Sequence, residues 1–348
     1  MAIIYGKQLT KREILRRVGD ISQLAAAKEC TLQSGKSRGM RAVDVKTGSG
    51  LCFTVLPDRG MDIAWAEYKG VSLSFISKTG IVAPWYYEPS GNNFLRGFYG
   101  GLLTICGLTH MGAACLDNET LLGLHGRASN IPAEDVRVSN DWDGDEFMMT
   151  VSGRIRESMV FGENIALSRE IRAKLGENRI FIKDRVENCG FSSQPLMLLY
   201  HFNLGYPVVD QGTRLVLPEG TVKARDEAAA KGIKHYQEFS APVPGFSEQV
   251  FYHDPVPEAD GRVAVGLFNE SLLESGLGVT ITYHREQLPY LIEWKQLGEG
   301  DYAVGIEPAT WYPEGRSEAR KRGELQLIEP GEIKLFEMEI AISEGITE

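Results

Sequence analysis

From about residue 40 onward, apolar and polar positions alternate with a period of two. Ile165, Leu167, Ile171, Ala173 and Leu175 alternate with Ser168, Glu170, Arg172 and Lys174, and only Arg169 interrupts the apolar face. Ile180, Ile182 and Val186 alternate with Lys183, Arg185 and Glu187, and Val279, Ile281 and Tyr283 with Thr280, Thr282 and His284. This period sends successive side chains to opposite faces, so each run predicts a half-buried strand. Turn residues punctuate the runs at Asn140-Asp141-Trp142-Asp143-Gly144-Asp145, Gly176-Glu177-Asn178 and Asn188-Cys189-Gly190. That is the pattern of consecutive antiparallel strands, not of strand–helix–strand units. The first forty residues differ. Lys11 to Val18 reads as helix, with Thr10 as N-cap, Glu13 three residues on as in a capping box, and Gly19 as a stop. The expectation is an all-β chain with a short helical segment within a 1–40 N-terminal extension. Residues 218–262, with Pro218, Pro242, Pro244, Pro255 and Pro257, read as an irregular excursion over one rim. Strands resume on both sides, so 1–348 is expected to form a single domain.

Composition narrows the function classes. Of 348 residues, 43% are hydrophobic, enough for a sizeable core, and 24% are charged. The net charge of -10 makes phosphate backbones and anionic lipid poor partners, so neither nucleic acid nor membrane is expected. No run of 18 apolar residues exists and the N-terminal residues lack a signal-peptide pattern, so a cytoplasmic location is expected. Five cysteines, with no Cys-x-x-Cys pair, argue against a disulfide framework and a cysteine zinc site; each reads as a small buried hydrophobe. Gly97-Phe98-Tyr99-Gly100-Gly101 has the wrong spacing for a phosphate-cradling loop.

Three separated segments each hold one proton-transfer side chain at a turn or strand end: Leu124-His125-Gly126-Arg127, Tyr200-His201-Phe202-Asn203-Leu204 and Gly305-Ile306-Glu307-Pro308. Histidine titrates near neutrality, and a carboxylate arriving from an apolar strand is desolvated toward a useful base. His201 and Asn203, two residues apart, share one face of a strand. Gly126 permits close backbone approach beside His125, and Arg127 could orient a substrate hydroxyl or pair with an acidic neighbour. Further substrate-binding candidates are Arg59 and Asp62 in Leu56-Pro57-Asp58-Arg59-Gly60-Met61-Asp62, which otherwise reads as a surface charge cluster. His110 could line a pocket, and Trp294 and Lys295 could offer a ring face and a cation. Lys295, Arg127 and Arg59 together hint at an anionic group on the substrate. His235, His253 and His284 read as surface residues.

On these motifs the chain resembles the aldose 1-epimerase (galactose mutarotase-like) superfamily, and more closely a branch of unknown function. The motifs span roughly residues 50 to 310. The resemblance implies a galactose mutarotase-like β-supersandwich with a concave sugar site. It implies His201 as general acid at the ring oxygen, Glu307 as general base at the anomeric hydroxyl, and His125 as a substrate-binding histidine. Two departures stand out: Tyr200 precedes His201 where that family carries asparagine, and the family's sugar-binding aspartate has no match.

The expected activity is therefore anomer interconversion of a small-molecule sugar by acid/base ring opening, with no metal or organic cofactor. Two alternatives stay open: a metal-dependent sugar isomerase with His125, His201 and Glu307 as ligands, and a carbohydrate-binding module without turnover.

Overall fold

The computed structural model describes residues 1–345. Two large antiparallel sheets dominate it. The first runs, neighbour to neighbour, Gly220–Ala224, Gln249–Pro255, Tyr290–Gly298, Asp301–Ala309, Leu199–Gly205, Leu103–Cys106, Asp62–Tyr68, Leu51–Leu56, Arg41–Lys46 and Ala26–Thr31, with Val71–Ser72 added to Asp62–Tyr68. The second runs Glu134–Asp143, Glu146–Ser158, Asn164–Lys174, Arg179–Asn188, Ile333–Glu344, Leu277–His284, Arg262–Asn269 and Arg214–Val216. The three strands expected from periodicity are all present, as Asn164–Lys174, Arg179–Asn188 and Leu277–His284.

The inner faces of the two sheets meet in one apolar core. Ile171, Val186, Ile281 and Ile340 of the second sheet share it with Val55, Ile63, Phe202, Leu291 and Ile306 of the first. The first sheet also has an apolar outer face. There Cys106, Leu199, Val250, Ile292, Ala309 and Trp311 form a separate cluster under covering loops. Strand Leu199–Gly205 is therefore buried along its whole length, on both faces.

Arg169, the one break in an apolar face, points into the core between the sheets. It lies directly opposite Asp184 on the neighbouring strand, and its Nε and Nη2 donate to the two carboxylate oxygens at 2.9 and 2.6 Å. A buried charge survives only when paired and hydrogen-bonded, and the register supplies the pair.

Two expectations about organisation are corrected. The 1–40 segment holds one short α-helix, Lys11–Leu15, whose Thr10–Glu13 capping box forms as expected. The helix ends four residues before Gly19, and the segment then supplies strand Ala26–Thr31 to the sheet edge. The 218–262 stretch is not an irregular excursion throughout. Gly220–Ala224 and Gln249–Pro255 are strands of the first sheet; the part between them, which includes helix Glu227–Gly232, and the turn after Pro255 that leads to the second sheet leave it. Of the five cysteines, all free, only Cys106 is buried. Among the described residues no helix is long and apolar enough to cross a membrane.

Candidate active site

The pairing register of the first sheet assembles the site. Leu199 pairs with Ala309 and Phe202 with Ile306. Counting inward from both pairs sets His201 opposite Glu307, at an interruption of the ladder where Pro308 has no N–H to donate. On the other side Ile292 pairs with Glu307 and Trp294 with Gly305, and Val250 pairs with Trp294. With the period-two rule, His201, Asn203, Gly305, Glu307, Ile292, Trp294 and Val250 share the outer face. Loops carrying Phe94, Phe98, Leu124, His125 and Pro313 close over this face and leave a cavity of about 670 Å³. The volume suits a small-molecule site, walled by apolar surface with a few converging polar groups.

Those polar groups crowd together. His201 Nε2 lies 3.2 Å from Glu307 Oε1. The contact is not aligned as a hydrogen bond, since Glu307 Oε1 has no partner among the described residues. The Nδ1 atoms of His201 and His125 and Oδ1 of Asn203 are likewise buried without a partner. The His201 ring is clamped between Phe98, at 5.3 Å, and Trp294, at 5.5 Å, and His125 stands edge-on at 6.0 Å. His125 takes a left-handed backbone (φ +58°), followed by Gly126 at φ +71°. A side chain at 126 would collide with the His110 and Gly107 carbonyls, so glycine is required where the loop turns His125 toward the cavity.

Enclosure sets the protonation states. Burial raises the Glu307 carboxyl to about 8, reinforced by the nearby Glu248 carboxylate and opposed by Arg225. Burial, helped by His125, drives His201 well below its ordinary range. His125 keeps part of its surface exposed, but its ring is enclosed and burial lowers it to about 4, against the pull of Glu248. Near neutrality the facing pair thus holds one proton, on Glu307, with His201 uncharged.

The structure gathers only part of the expected residue set. Glu307, His201, His125 and Trp294 line the cavity. Asn203 lies on the same strand face but is fully buried beneath it, its Nδ2 donating to the His201 carbonyl at 2.8 Å. The other candidates lie elsewhere. Arg59 and Asp62 are not a surface cluster: Arg59 is buried and donates to the Ser129, Val82 and Gly97 carbonyls. Asp62 accepts from Ser129 Oγ at 2.7 Å and the Ile105 N–H at 2.8 Å. His110 is buried behind the His125 loop, its Nδ1 facing the Arg316 N–H. Arg127 is exposed and outside the cavity. Lys295 follows Trp294 and so points to the opposite face, where carbonyls of His235, Tyr236 and Glu238 surround its ammonium. His253, expected at the surface, is buried 3.0 Å from Glu293 on that same opposite face.

Sequence reasoning missed Glu248, Arg225, Lys78 and Asp301, all lining the cavity. Glu248 accepts from Trp294 Nε1 and from Arg225, both at 2.9 Å. Glu248 and Arg225 flank the two edge strands within the stretch read as irregular, so the only available signal was a pair of strands not recognised there. Among the described residues no group of three or more His, Cys, Asp or Glu side chains is placed to hold a metal ion.

Residues 37–342 match the family described as "Domain of unknown function (DUF4432)". The chain belongs to that family. A search of the curated proteins finds no match for this DUF4432 member. Among solved structures it is similar to a Klebsiella pneumoniae protein provisionally named an aldose 1-epimerase, with 25% identity, a TM-score of 0.87, and coverage of 92% of this chain and 86% of that one. A galactose mutarotase-like protein from Clostridium acetobutylicum aligns at 15% identity and TM-score 0.61, over 92% of this chain and 99% of that one. Galactose 1-epimerase from Lactobacillus acidophilus aligns at 12% identity and TM-score 0.59, over 92% and 100%. The two more distant likenesses speak for the fold alone, and the DUF4432 chain has the galactose mutarotase-like fold.

Proposed function

We propose that this DUF4432 protein is an isomerase that interconverts the anomers of an aldose, with Glu307 and His201 as the acid/base pair and His125 as a substrate-binding residue. The observation that carries the reading is the convergence, in one cavity, of buried polar atoms without partners on Glu307, His201 and His125. Buried polar groups are nearly always satisfied, so a cluster of orphans around a cavity marks where a ligand rich in donors and acceptors belongs. Sugar hydroxyls are such a ligand, and the Trp294 and Phe98 rings supply apolar wall.

The chemistry follows from the one shared proton. In ring opening the shared proton first passes from Glu307 to His201; ionised Glu307 then takes the proton from the anomeric hydroxyl while protonated His201 gives one to the ring oxygen. The C1–O5 bond breaks and the open-chain aldehyde remains, with Glu307 protonated and His201 neutral. After rotation about C1–C2 the same groups act in reverse: Glu307 returns a proton to the carbonyl oxygen as His201 removes the proton from the attacking hydroxyl. The pair ends as it began, and no net proton leaves it. The ion pair that opens the ring and the neutral pair that closes it differ only in which side chain holds the proton, across a gap of 3.2 Å. Positioned acid and base groups each contribute about 10²–10⁴-fold.

The reading includes an uncharged substrate. The two cations lining the cavity are both paired, Arg225 with Asp226 and Glu248, and Lys78 with Asp301. A phosphate or carboxylate would meet no free counter-charge there, and the cations that hinted otherwise, Arg59, Arg127 and Lys295, lie outside the cavity. The test is NMR exchange spectroscopy on a panel of neutral aldoses with their uronate and phosphate counterparts, before and after dialysis against chelator. Acceleration of anomer exchange in at least one neutral aldose, retained after chelation, is expected. Binding without acceleration of any sugar would favour the binding module, and loss on chelation restored by one divalent ion would favour the metal isomerase.

A further inference from the structure

At the centre of the site face is a residue with no side chain. Gly305 pairs with Asn203 on one side and Trp294 on the other, next to the His201–Glu307 contact. Its backbone is ordinary strand, outside the left-handed region, so conformational freedom does not explain a glycine there. What a side chain would meet does. A Cβ at 305 would lie 2.6 Å from Glu307 Oε1, 2.9 Å from His201 Cε1 and 3.2 Å from Trp294 Cβ. Other strand glycines of the same sheet face different neighbours. A Cβ at Gly205 would run into the backbone of Phe75, and one at Gly220 into that of Asp254 and Pro255. Those glycines admit chain packing, whereas Gly305 is opposed only by side-chain atoms, all belonging to the site.

We infer that Gly305 is a positioning residue for the acid/base pair: its missing side chain leaves the room in which the Glu307 carboxyl and the His201 imidazole stand face to face at working distance. Glycine inside a strand ordinarily weakens it, having no side chain to pack and more chain entropy to lose. Here that cost is offset by geometry at the reacting atoms. The inference rests on the proposed isomerase reading for its consequence in turnover, but its structural core concerns only the pair.

The test is Gly305→Ala, read three ways. The Glu307 carboxyl carbon, followed by NMR titration without any sugar, should titrate at a different pH from wild type, because the added methyl moves the carboxyl relative to His201. Anomer exchange should fall about 10-fold or more, since displacements of about 1 Å at reacting groups can cost 10²-fold, and the loss should lie in kcat more than in KM. The melting temperature should change little, because the nearest atom, Glu307 Oε1, is the end of a flexible side chain and the unfolded chain loses freedom. Gly305→Ala combined with Glu307→Asp draws the carboxyl back by one methylene, and should lose less than the product of the two single losses. An unaltered Glu307 titration in a folded Gly305→Ala protein overturns the inference, whatever the sugar assays show. If Gly305→Ala does not fold and Glu307→Asp does not restore folding, the glycine serves packing and the inference also fails. If the wild type exchanges no anomers while the titration still shifts, the isomerase reading fails and the positioning role stands.

Discussion

Tyr200 and His201 are neighbours on one buried strand, and they point into two buried ionisable clusters of opposite character. Tyr200 faces the inter-sheet core, where its hydroxyl donates to Asp184 at 2.8 Å. Asp184 holds Arg169, Arg169 lies 3.8 Å from Asp62, and Asp62 accepts from Ser129, which also accepts from Arg59. The two arginines face the two aspartates, and hydrogen bonds reach each of the four. His201 faces the other way, to a cavity where His201, His125 and Glu307 all carry orphaned polar atoms. Burial alone does not separate the two: Asp62 is raised to about 7 and Glu307 to about 8, in both cases chiefly by burial. Satisfaction does. In the first cluster burial costs are met by fixed partners, so the charges hold the sheets in register. In the second, Glu307 Oε1 and the Nδ1 atoms of His201 and His125 have no partner among the described residues and border an open volume, so the groups remain available for chemistry.

The largest expected effect probes the satisfied cluster. Arg169→Met leaves Asp184 and Asp62 without their buried counter-charge, and removing one partner of such a pair typically costs about 3–5 kcal/mol. Denaturant melts should show the loss, and an unchanged midpoint would break the comparison from the structural side. Next comes the unsatisfied cluster. Glu307→Gln and His201→Asn should each lower anomer exchange by about 10²-fold or more with little loss of stability. As the two act in one exchange, the double variant should lose less than the product of the single losses. Near-wild-type exchange in folded Glu307→Gln protein would sink the mechanism.

A subtler effect concerns pH. The Glu307 carboxyl is raised in the fold to about 8 from an ordinary value of 4.5. Its contribution is complete below about pH 4.5, declines as the unfolded chain ionises while the folded one stays protonated, and levels off above about pH 8. Glu307→Gln removes this decline. Thermal melts across that window should therefore favour the variant over wild type by a margin that widens with pH, and a constant margin would mean the carboxyl is not held protonated. The smallest effect is expected at Arg127, exposed and outside the cavity: Arg127→Ala should leave kcat/KM for a neutral aldose within about 2-fold, since surface substitutions away from special features change little. A 10-fold fall there would extend the site beyond the cavity described.

The period-two pattern determined strands such as Asn164–Lys174 and Leu277–His284, because alternation is a local consequence of a sheet with one buried face. The Thr10–Glu13 capping box was legible for the same reason, its bonds spanning three residues. Glu307, His201 and His125 were legible through residue type, flanking turn chemistry and resemblance to a sugar-active superfamily. The tertiary structure alone decided which nearby residues join them. A period of two assigns Trp294 and Lys295 to opposite faces without saying which face carries the cavity. Only the register through Gly305 turns Trp294 toward His201 and Lys295 away. Nor does sequence separate the two kinds of buried charge. Arg59 and Asp62 lie in a polar stretch that resembles a surface cluster, and they are buried because the Ser129 loop, the neighbouring strand at Ile105 and Arg169 of the second sheet close around them. Glu248 and Arg225 reach the site because edge strands fold them across it. Contacts between residues distant in sequence depend on how the whole sheet is ordered, and no local pattern carries that order.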